Sequence, residues 1–331
     1  MGAPAIALTG AGAVPWPSPD RIPHETAELP AEIAERVARV ERISALVLLT
    51  GAAALRDAGI ALVDGRRVRG GVVLGTAFGC LLTNAAYQRR LVDGGVAAAS
   101  PRLFAATVSN AAAGEMAIAF GLAGPAITLT AGGASGLVAL GHATSMLRAG
   151  RADMLLAGGA DAVDDPLVRW IEAGGLAVGR PVVEASAMLV VEPASVARAR
   201  GAAVQAMILG HAAGFVPPND PDGAAQALVH VIRRALRDAG VDGERVSLVV
   251  RGAPPALADL EERALRAALG DRASVAGVAP KEMLGETLGA AGPLGVLALV
   301  GAAPRGTIAL VLDVCASGQV AAVVAAVGDL A

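Results

Sequence analysis

The chain has 331 residues, a formal net charge of −3, 54% hydrophobic residues and 17% charged residues. This composition excludes a largely disordered chain, because disordered segments are poor in apolar and rich in charged residues. An aromatic content of 2% argues against base stacking on nucleic acid, and the acidic balance argues against a general binder of phosphate backbones. Two cysteines, Cys80 and Cys315, are too few for a disulfide framework or a structural zinc site, so we expect a reducing, cytoplasmic location.

In chain order, the hydrophobic pattern first predicts an amphipathic helix that ends at Gly59, since glycine is typical of the position after a helix. The elements predicted after it are strand 71–75, helix 114–120, strand 126–130, helix 137–148, strand 154–157, an amphipathic helix ending at Gly240, strand 247–250, helix 260–269, strand 275–278, helix 293–300 and strand 307–312. The uncharged run 116–147 is long enough to cross a bilayer. A turn at 121–125 divides it, so we predict a core helix, a buried strand and a second helix, with no membrane span.

A repeat divides this series into two parts. The hexapeptide Ala-Leu-Arg-Asp-Ala-Gly occurs at 54–59 and again at 235–240, and similar elements follow each copy in the same order. We therefore predict an α/β fold with two βαβ-rich halves packed as one body. The halves are assigned to residues 1–180 and 181–331.

Several short segments then occur in the order found in the β-ketoacyl synthases of fatty-acid and polyketide assembly. These segments are 6–12, 73–76, 110–114, 120–125, 149–159 and 284–292. The chain thus resembles this family over nearly its whole length. The resemblance implies a thiolase-like duplicated fold, in which the two halves form a layered α-β-α-β-α body.

The resemblance also indicates where a nucleophile would lie. The family uses a cysteine at a helix N-terminus, where the helix dipole lowers the pKa of the thiol, and this cysteine accepts an acyl group. It lies eight residues after a Gly-Pro turn. Eight residues after Pro125 this chain has Gly133, which carries no side chain that could hold a thioester.

Two catalytic histidines of the family are also replaced. The first position is Arg251, and the acids that follow it at the family's spacing are Asp259 and Glu262. The second lies five residues after a lysine, and five residues after Lys281 this chain has Glu286. Arginine does not give up its proton in proteins. The resemblance therefore implies a chain with no catalytic residues of the family's kind.

A direct ion pair is predicted between the two replacements. In the family both histidines face one pocket, and a lone buried charge would cost several kcal/mol. We therefore predict that the guanidinium of Arg251 reaches the carboxylate of Glu286 and plugs the former active site. The alternative is that the side chains turn to solvent or to other partners, such as Asp259 for Arg251.

Two further features have ordinary interpretations. The tetrapeptide Cys-Ala-Ser-Gly at 315–318 repeats the letters of the family's nucleophile segment, but no histidine lies near it in sequence. We interpret it as a small-residue loop with a partly buried thiol, and a relocated nucleophile is the alternative. His142 and His230 fall on predicted helices and are interpreted as ordinary helix residues. No metal-ligand spacing and no phosphate loop occur, so no metal or cofactor is expected.

A catalytically silent chain of this kind is similar to the chain length factor, the KSβ subunit of type II polyketide and aryl-polyene synthases. The resemblance implies a non-catalytic subunit that pairs with an active ketosynthase as a heterodimer, with an acyl carrier protein as a further candidate partner. The residues that would line the tunnel and interface are Phe104, Thr107, Val108, Ser109 and Asn110. Two alternatives are a residual acyl-thioester enzyme (decarboxylase, hydrolase or acyltransferase) that uses Glu286 and Arg251, and a homodimeric acyl-binding scaffold.

Overall fold

The computed structural model describes residues 4–14, 29–61, 69–176, 179–216, 221–270 and 276–330, with only the backbone at 221 and 222. The strands in these ranges are Ile6–Val14 (β1), Gly70–Gly75 (β2), Ala126–Leu129 (β3), Met154–Asp161 (β4), Ala185–Pro193 (β5), Ala206–Phe215 (β6), Leu248–Val250 (β7), Gly277–Val278 (β8), Ile308–Val314 (β9) and Gln319–Val327 (β10). The helices are Ala31–Val37 (α1), Arg42–Asp57 (α2), Leu81–Gly94 (α3), Pro101–Ala105 (α4), Ala111–Ala119 (α5), Ser135–Arg148 (α6), Asp165–Ala173 (α7), Ala194–Ala199 (α8), Pro221–Ala239 (α9), Ala258–Leu269 (α10), Pro280–Leu284 (α11) and Ala291–Ala302 (α12).

The sheet shows the duplication directly. Its strand order is β3-β2-β4-β5-β1-β6-β10-β9-β7-β8, and the short antiparallel pairing of β1 with β6 joins the two sets of five. Read inward from its outer edge, each set has three parallel strands followed by two antiparallel ones. Strand pairing groups β5 with the first set, although its residues follow position 180.

The layers of the fold separate two kinds of helix. A helix that is apolar on all sides lies inside, and amphipathic helices cover the outer faces. Helix α12 is apolar on every side and almost wholly buried, as expected for a helix inside a core. It packs against α6 in the central layer, between the two sets of strands. Helices α2 and α5 cover the outer face of the first set, and α9 and α10 cover that of the second. This arrangement is the predicted α-β-α-β-α body.

Both copies of the hexapeptide end equivalent helices. In the first copy, a carboxylate oxygen of Asp57 accepts the backbone N–H of Ala11 in β1 at 3.0 Å. In the second, a carboxylate oxygen of Asp238 accepts the backbone N–H of His211 in β6 at 3.0 Å. The glycine that closes each copy has a positive φ, 68° in the first and 62° in the second. In each half, the repeat therefore ends a helix whose aspartate accepts a backbone hydrogen bond from the adjacent strand, β1 or β6.

Strand β3 differs from the buried strand predicted for the middle of the run 116–147. It pairs only with β2, so it is an edge strand, and its side chains are partly exposed. The helices predicted on either side of it are present as α5 and α6. Among the described residues, no helix has both the length and the apolar character needed to cross a membrane.

The strand–helix contact depends on a glycine in each half. A Cβ at Gly10 would lie 2.3 Å from the carbonyl oxygen of Ala54. A Cβ at Gly210 would lie 2.3 Å from the backbone nitrogen of Ala239 and 2.6 Å from the carbonyl oxygen of Ala235. Backbone atoms cannot move aside as a flexible side chain can, so these positions exclude any side chain.

We predict that Gly210→Ala lowers the free energy of unfolding by about 2 kcal/mol or more, because the added methyl group overpacks the contact between β6 and α9. The control is Gly301→Ala, near the end of α12, where a Cβ would meet no atom within 4 Å. This change should leave stability unaltered or raise it by up to about 1 kcal/mol. Urea unfolding of both variants measures the difference. Equal stability of the two variants would contradict the predicted close contact.

Candidate functional site

A small cavity lies where loops from both halves meet. Its volume is about 50 Å³, which is room for a few water molecules. Its walls are formed by Ala77, Phe78, Gly133, Leu176, Pro254, Lys281, Glu286, Leu288, Val314, Cys315, Ala316 and Ser317. The structure thus brings two of the three replaced catalytic positions together with the family-spaced lysine. The thiol of Cys315, which the sequence suggested as an alternative nucleophile, also lies in the cavity wall.

The thiol of Cys315 lies beside the position of the missing nucleophile. A Cβ built on Gly133 would be 3.3 Å from its Sγ and 3.8 Å from Oε1 of Glu286. Burial raises the pKa of this thiol well above its ordinary value, and the neighbouring Asp313 adds to the effect. Lys281 and the backbone N–H of Ala134 oppose the rise without cancelling it. The thiol is therefore protonated at neutral pH and is a poor nucleophile.

Lys281 is the buried cation of the site. Its Nζ donates to Oδ1 of Asp313 at 2.8 Å and lies 3.3 Å from Oε2 of Glu286. The lysine, glutamate and aspartate side chains are only 6%, 7% and 1% exposed. Burial by itself lowers the pKa of Lys281, but the attraction of the two carboxylates outweighs it, so the pKa is raised. The ammonium is therefore charged and cannot act as a free amine base.

Glu286 is held in place by backbone contacts on both sides. Its N–H donates to the carbonyl of Pro181 at 2.8 Å, and its own carbonyl accepts the N–H of Val183 at 2.9 Å. Its carboxylate oxygen Oε1 accepts the N–H of Leu288 at 2.9 Å. The segment 179–184 thus fixes Glu286 in the cavity wall.

Arg251 does not reach Glu286, so the predicted plug is wrong. Its guanidinium pairs with Glu262 at 2.9 Å, at a site where both side chains are about 30% exposed (28% and 32%). Glu262 also accepts from Arg266 at 2.8 Å. Arg251 therefore pairs with Glu262 on α10, and Glu286 pairs with Lys281 on α11.

The structure also shows a buried acid that sequence reasoning missed. Of the three acids at the start of α10, Asp259 is exposed, Glu262 is partly exposed and Glu261 is buried. Oε1 of Glu261 accepts the N–H groups of Gly252 and Ala253 at 3.0 and 3.1 Å. Burial raises the pKa of Glu261, and these two hydrogen bonds oppose the rise. Glu261 therefore fixes the loop that follows β7.

A second buried carboxylate joins the loops on the other side of the cavity. Asp161 accepts from the hydroxyl of Thr76 at 2.8 Å and from the N–H groups of Ala77 and Phe78 at 2.9 and 2.8 Å. It also accepts the N–H of Gly289 at 2.8 Å, just before α12. Burial raises the pKa of Asp161, although all four donors favour the charged form. Its function in the fold is to hold one loop from each half.

The five residues predicted to line a tunnel lie elsewhere: Phe104 is in α4, and the other four are in the loop that leads to α5. Phe104 is 62% exposed and Val108 is 52% exposed. Ser109 and Asn110 are also exposed, and Thr107 is partly buried, with its hydroxyl donating to the carbonyl of Phe104 at 2.7 Å. None of the five is among the residues that line the cavity. They belong to the surface of the described chain.

The histidines take no part in the cavity. His142 and His230 are exposed on α6 and α9, as predicted, and His24 lies outside the described residues. Nε2 of His211 lies 2.8 Å from the hydroxyl of Ser145, away from the cavity. Within the described ranges, no three histidines, cysteines or acids are grouped closely enough to hold a metal ion.

Comparisons with known proteins agree with the resemblance. The model for the β-ketoacyl synthase N-terminal domain matches residues 19–174, and that for the C-terminal domain matches residues 202–314. Two Streptomyces proteins named "Putative polyketide beta-ketoacyl synthase 2" are similar in sequence. The protein of S. cyaneus is 35% identical over 141 residues, and that of S. coelicolor is 39% identical over 145 residues. Each match covers 42% of this chain and 34% of the relative, so it spans about a third of the relative's length.

Solved structures extend the similarity to the whole chain. The ishigamide ketosynthase/chain length factor is 28% identical, with a TM-score of 0.76, over 98% of this chain and 99% of its own. The AntDE:AntF complex, a type II PKS acyl-carrier protein with its ketosynthase, has a TM-score of 0.82 and 22% identity, over 99% and 100% of the two chains. A β-ketoacyl synthase from Burkholderia phymatum has a TM-score of 0.81 and 19% identity, over 98% and 99%. The last two show a common fold.

We predict that Cys315 resists alkylation in the folded chain at pH 7 to 8, because its thiol is buried and protonated. Incubation with iodoacetamide followed by peptide mass spectrometry measures the modified fraction. The same chain unfolded in denaturant serves as the control and should be alkylated fully at Cys315. Rapid alkylation in the native state, or an acyl group on Cys315 after incubation with acyl-coenzyme A, would revive the relocated nucleophile.

We also predict unequal effects of removing the two cations. Lys281→Met should lower the free energy of unfolding by about 3–5 kcal/mol, because it leaves buried carboxylates without a cation. Arg251→Met should change it by less than about 1 kcal/mol, because its partner Glu262 is partly exposed. Thermal unfolding at pH 7 compares the variants. A large loss in Arg251→Met would show that Arg251 is buried against an acid after all.

Proposed function

Because the chain belongs to the β-ketoacyl synthase family, we propose that it is a non-catalytic subunit of the chain length factor type. Such a subunit pairs with an active β-ketoacyl carrier-protein synthase in polyketide or fatty-acid-like chain assembly. The observation that carries the proposal is the lack of a usable nucleophile at the position where the family has its cysteine. Gly133 has no side chain at the start of α6, and the thiol beside it, Cys315, is buried and protonated.

The proton-transfer groups of the site support the same proposal. Condensation needs groups that stabilise an enolate and an oxyanion, and it needs a nucleophile that gives up its proton. Arg251 keeps its proton and is bound to Glu262. Both carboxylate oxygens of Glu286 have partners, Lys281 and the N–H of Leu288. Among the described residues that line the cavity, none is left free to act as a general base.

An apolar surface supports pairing with another subunit. Exposed hydrophobic side chains lie on consecutive elements from α3 to α5, and we call this surface the apolar face; its members are Val92, Val96, Phe104, Val108 and Ile118. Exposed apolar patches of this kind mark protein interfaces. The face adjoins the edge strand β3, where the hydroxyl of Thr128 is buried without a hydrogen-bond partner. A partner that covers this region would remove the exposed apolar side chains from solvent.

The similar proteins support the nature of the partner. The ketosynthase/chain length factor neighbour combines the two kinds of subunit that we propose here, and its identity of 28% is spread over nearly the whole chain. The neighbour bound to an acyl-carrier protein supports a carrier protein in the same assembly. Pairing through the apolar face places residues 104–110 at the junction of the two subunits.

A residual acyl-thioester enzyme is the second candidate. The observation in its favour is that the cavity is open and has the carboxylate of Glu286 in its wall. Against it, Arg251 lies outside the cavity lining and could not stabilise an oxyanion there. Turnover of a malonyl-carrier by the isolated chain would establish this function.

The test of the proposed function is co-expression with an active ketosynthase that has the family's cysteine and both histidines. We predict a stable heterodimer that survives size-exclusion chromatography, and Val108→Asp together with Ile118→Asp should abolish it. The matched control is Met283→Asp, an exposed apolar residue on α11, outside the apolar face, which should leave pairing intact. A chain that forms only a homodimer in the presence of the ketosynthase would favour the acyl-binding scaffold instead.

A further inference from the structure

The buried cluster around Lys281 contains more acids than bases. Both Glu286 and Asp313 face the one ammonium, and all three side chains are almost fully buried. If all three were ionised, the cluster would carry a net charge of −1 in an apolar interior. An apolar interior disfavours this net charge. The acid whose ionised form is stabilised least therefore binds a proton.

The two acids are not equally supported in their charged forms. Glu286 has a partner for each oxygen: the ammonium of Lys281 and the N–H of Leu288. Asp313 has the ammonium at Oδ1, but its Oδ2 is buried and has no hydrogen-bond partner. The ionised form of Asp313 is therefore less stabilised than that of Glu286. Oδ2 of Asp313 is the atom that can bind the proton.

We propose that Asp313 is a proton-binding site that is occupied in weakly acidic solution and empties towards neutral pH. Occupation makes the cluster with Lys281 and Glu286 neutral, and emptying adds one buried negative charge behind the cavity wall. This inference is independent of the proposed function, because it concerns the charge of the cluster and not the partner of the chain.

In the described part of the chain, the cation paired with Asp313 is Lys281. Lys281 faces it from α11, Glu286 from the following loop, and Glu261 from α10. Cys315, just after the strand of Asp313, is a neutral thiol. The neighbouring β10 and α12 contain no charged residue. Burial and the charges of Glu286 and Glu261 therefore favour the proton on Asp313, and the charge of Lys281 opposes it.

The direction of the pH effect follows from the pKa of Asp313. Burial, opposed by Lys281 and assisted by Glu286, raises this pKa to about 6, against about 4 in an unfolded chain. The folded state thus binds the proton more tightly than the unfolded state. The stabilisation is complete below about pH 4 and is lost as the pH rises to about 6. In that window the unfolding constant should rise up to about tenfold per pH unit from this group alone.

The test compares isosteric variants between pH 4.5 and 7.5. Asp313→Asn imitates the protonated acid, so its melting temperature should match wild type at the acidic end and exceed it at pH 7. Glu286→Gln restores one acid per base and should remove the same pH-dependent loss. Glu262→Gln, which alters a partly exposed ion pair, is the control and should follow wild type. A constant difference between Asp313→Asn and wild type at every pH would overturn the proposal.

A second measurement on the wild-type chain does not depend on the stability of the Asp313 variant. In ¹³C NMR of a chain labelled at the aspartate carboxyl carbon, one resonance should titrate near pH 6. Glu286→Gln should move that midpoint down, which distinguishes Asp313 from Asp161, the other fully buried aspartate among the described residues. If no aspartate resonance that responds to Glu286→Gln titrates above the ordinary range, Asp313 is not a proton-binding site.

Discussion

The ammonium of Lys281, buried between two carboxylates, is the interaction on which the site depends. It joins α11 to β9 through Asp313 and to the cavity wall through Glu286. In a low-dielectric interior, removal of one partner leaves the others charged and unpaired. The ion pairs of Lys281 therefore hold α11, β9 and the cavity wall together.

The close contact of the two halves explains much of the unusual composition. The chain has 42 glycines, and several lie where backbones touch in the central layer. A Cβ at Gly136 or Gly159 would lie 2.2 or 1.9 Å from the carbonyl oxygen of Gly289. Helix α6 therefore approaches the turn before α12 more closely than any side chain would permit. The cavity lies at the end of this contact, which is why residues of both halves line it.

The sequence was a good guide wherever local periodicity or spacing carried the information. It predicted the two βαβ-rich halves and the repeated helix ends, but it did not predict that Lys281 pairs with Glu286. It could not predict which charges pair, because Arg251 meets Glu262 through the position of α10 against the end of β7, and such packing has no signal in spacing. The approach of Cys315 to Gly133 depends in the same way on the docking of the halves. The position of β3 at the edge of the sheet depends on how many strands pair beside it, which the sequence of β3 does not show.

Arg251 pairs with Glu262, and Glu286 pairs with Lys281. These separate pairs bear on where a growing acyl chain could be held. Nothing crosses the cavity, so it remains open, yet its volume of about 50 Å³ is far below the several hundred Å³ of ordinary ligand pockets. An extended acyl chain does not fit there. In the proposed heterodimer, the part of this subunit that could line a longer tunnel is therefore its surface between α4 and α5, where Phe104 and Val108 are exposed. The subunit would then act through the face that it offers to its partner, and its own former active site would serve as a rigid support behind that face.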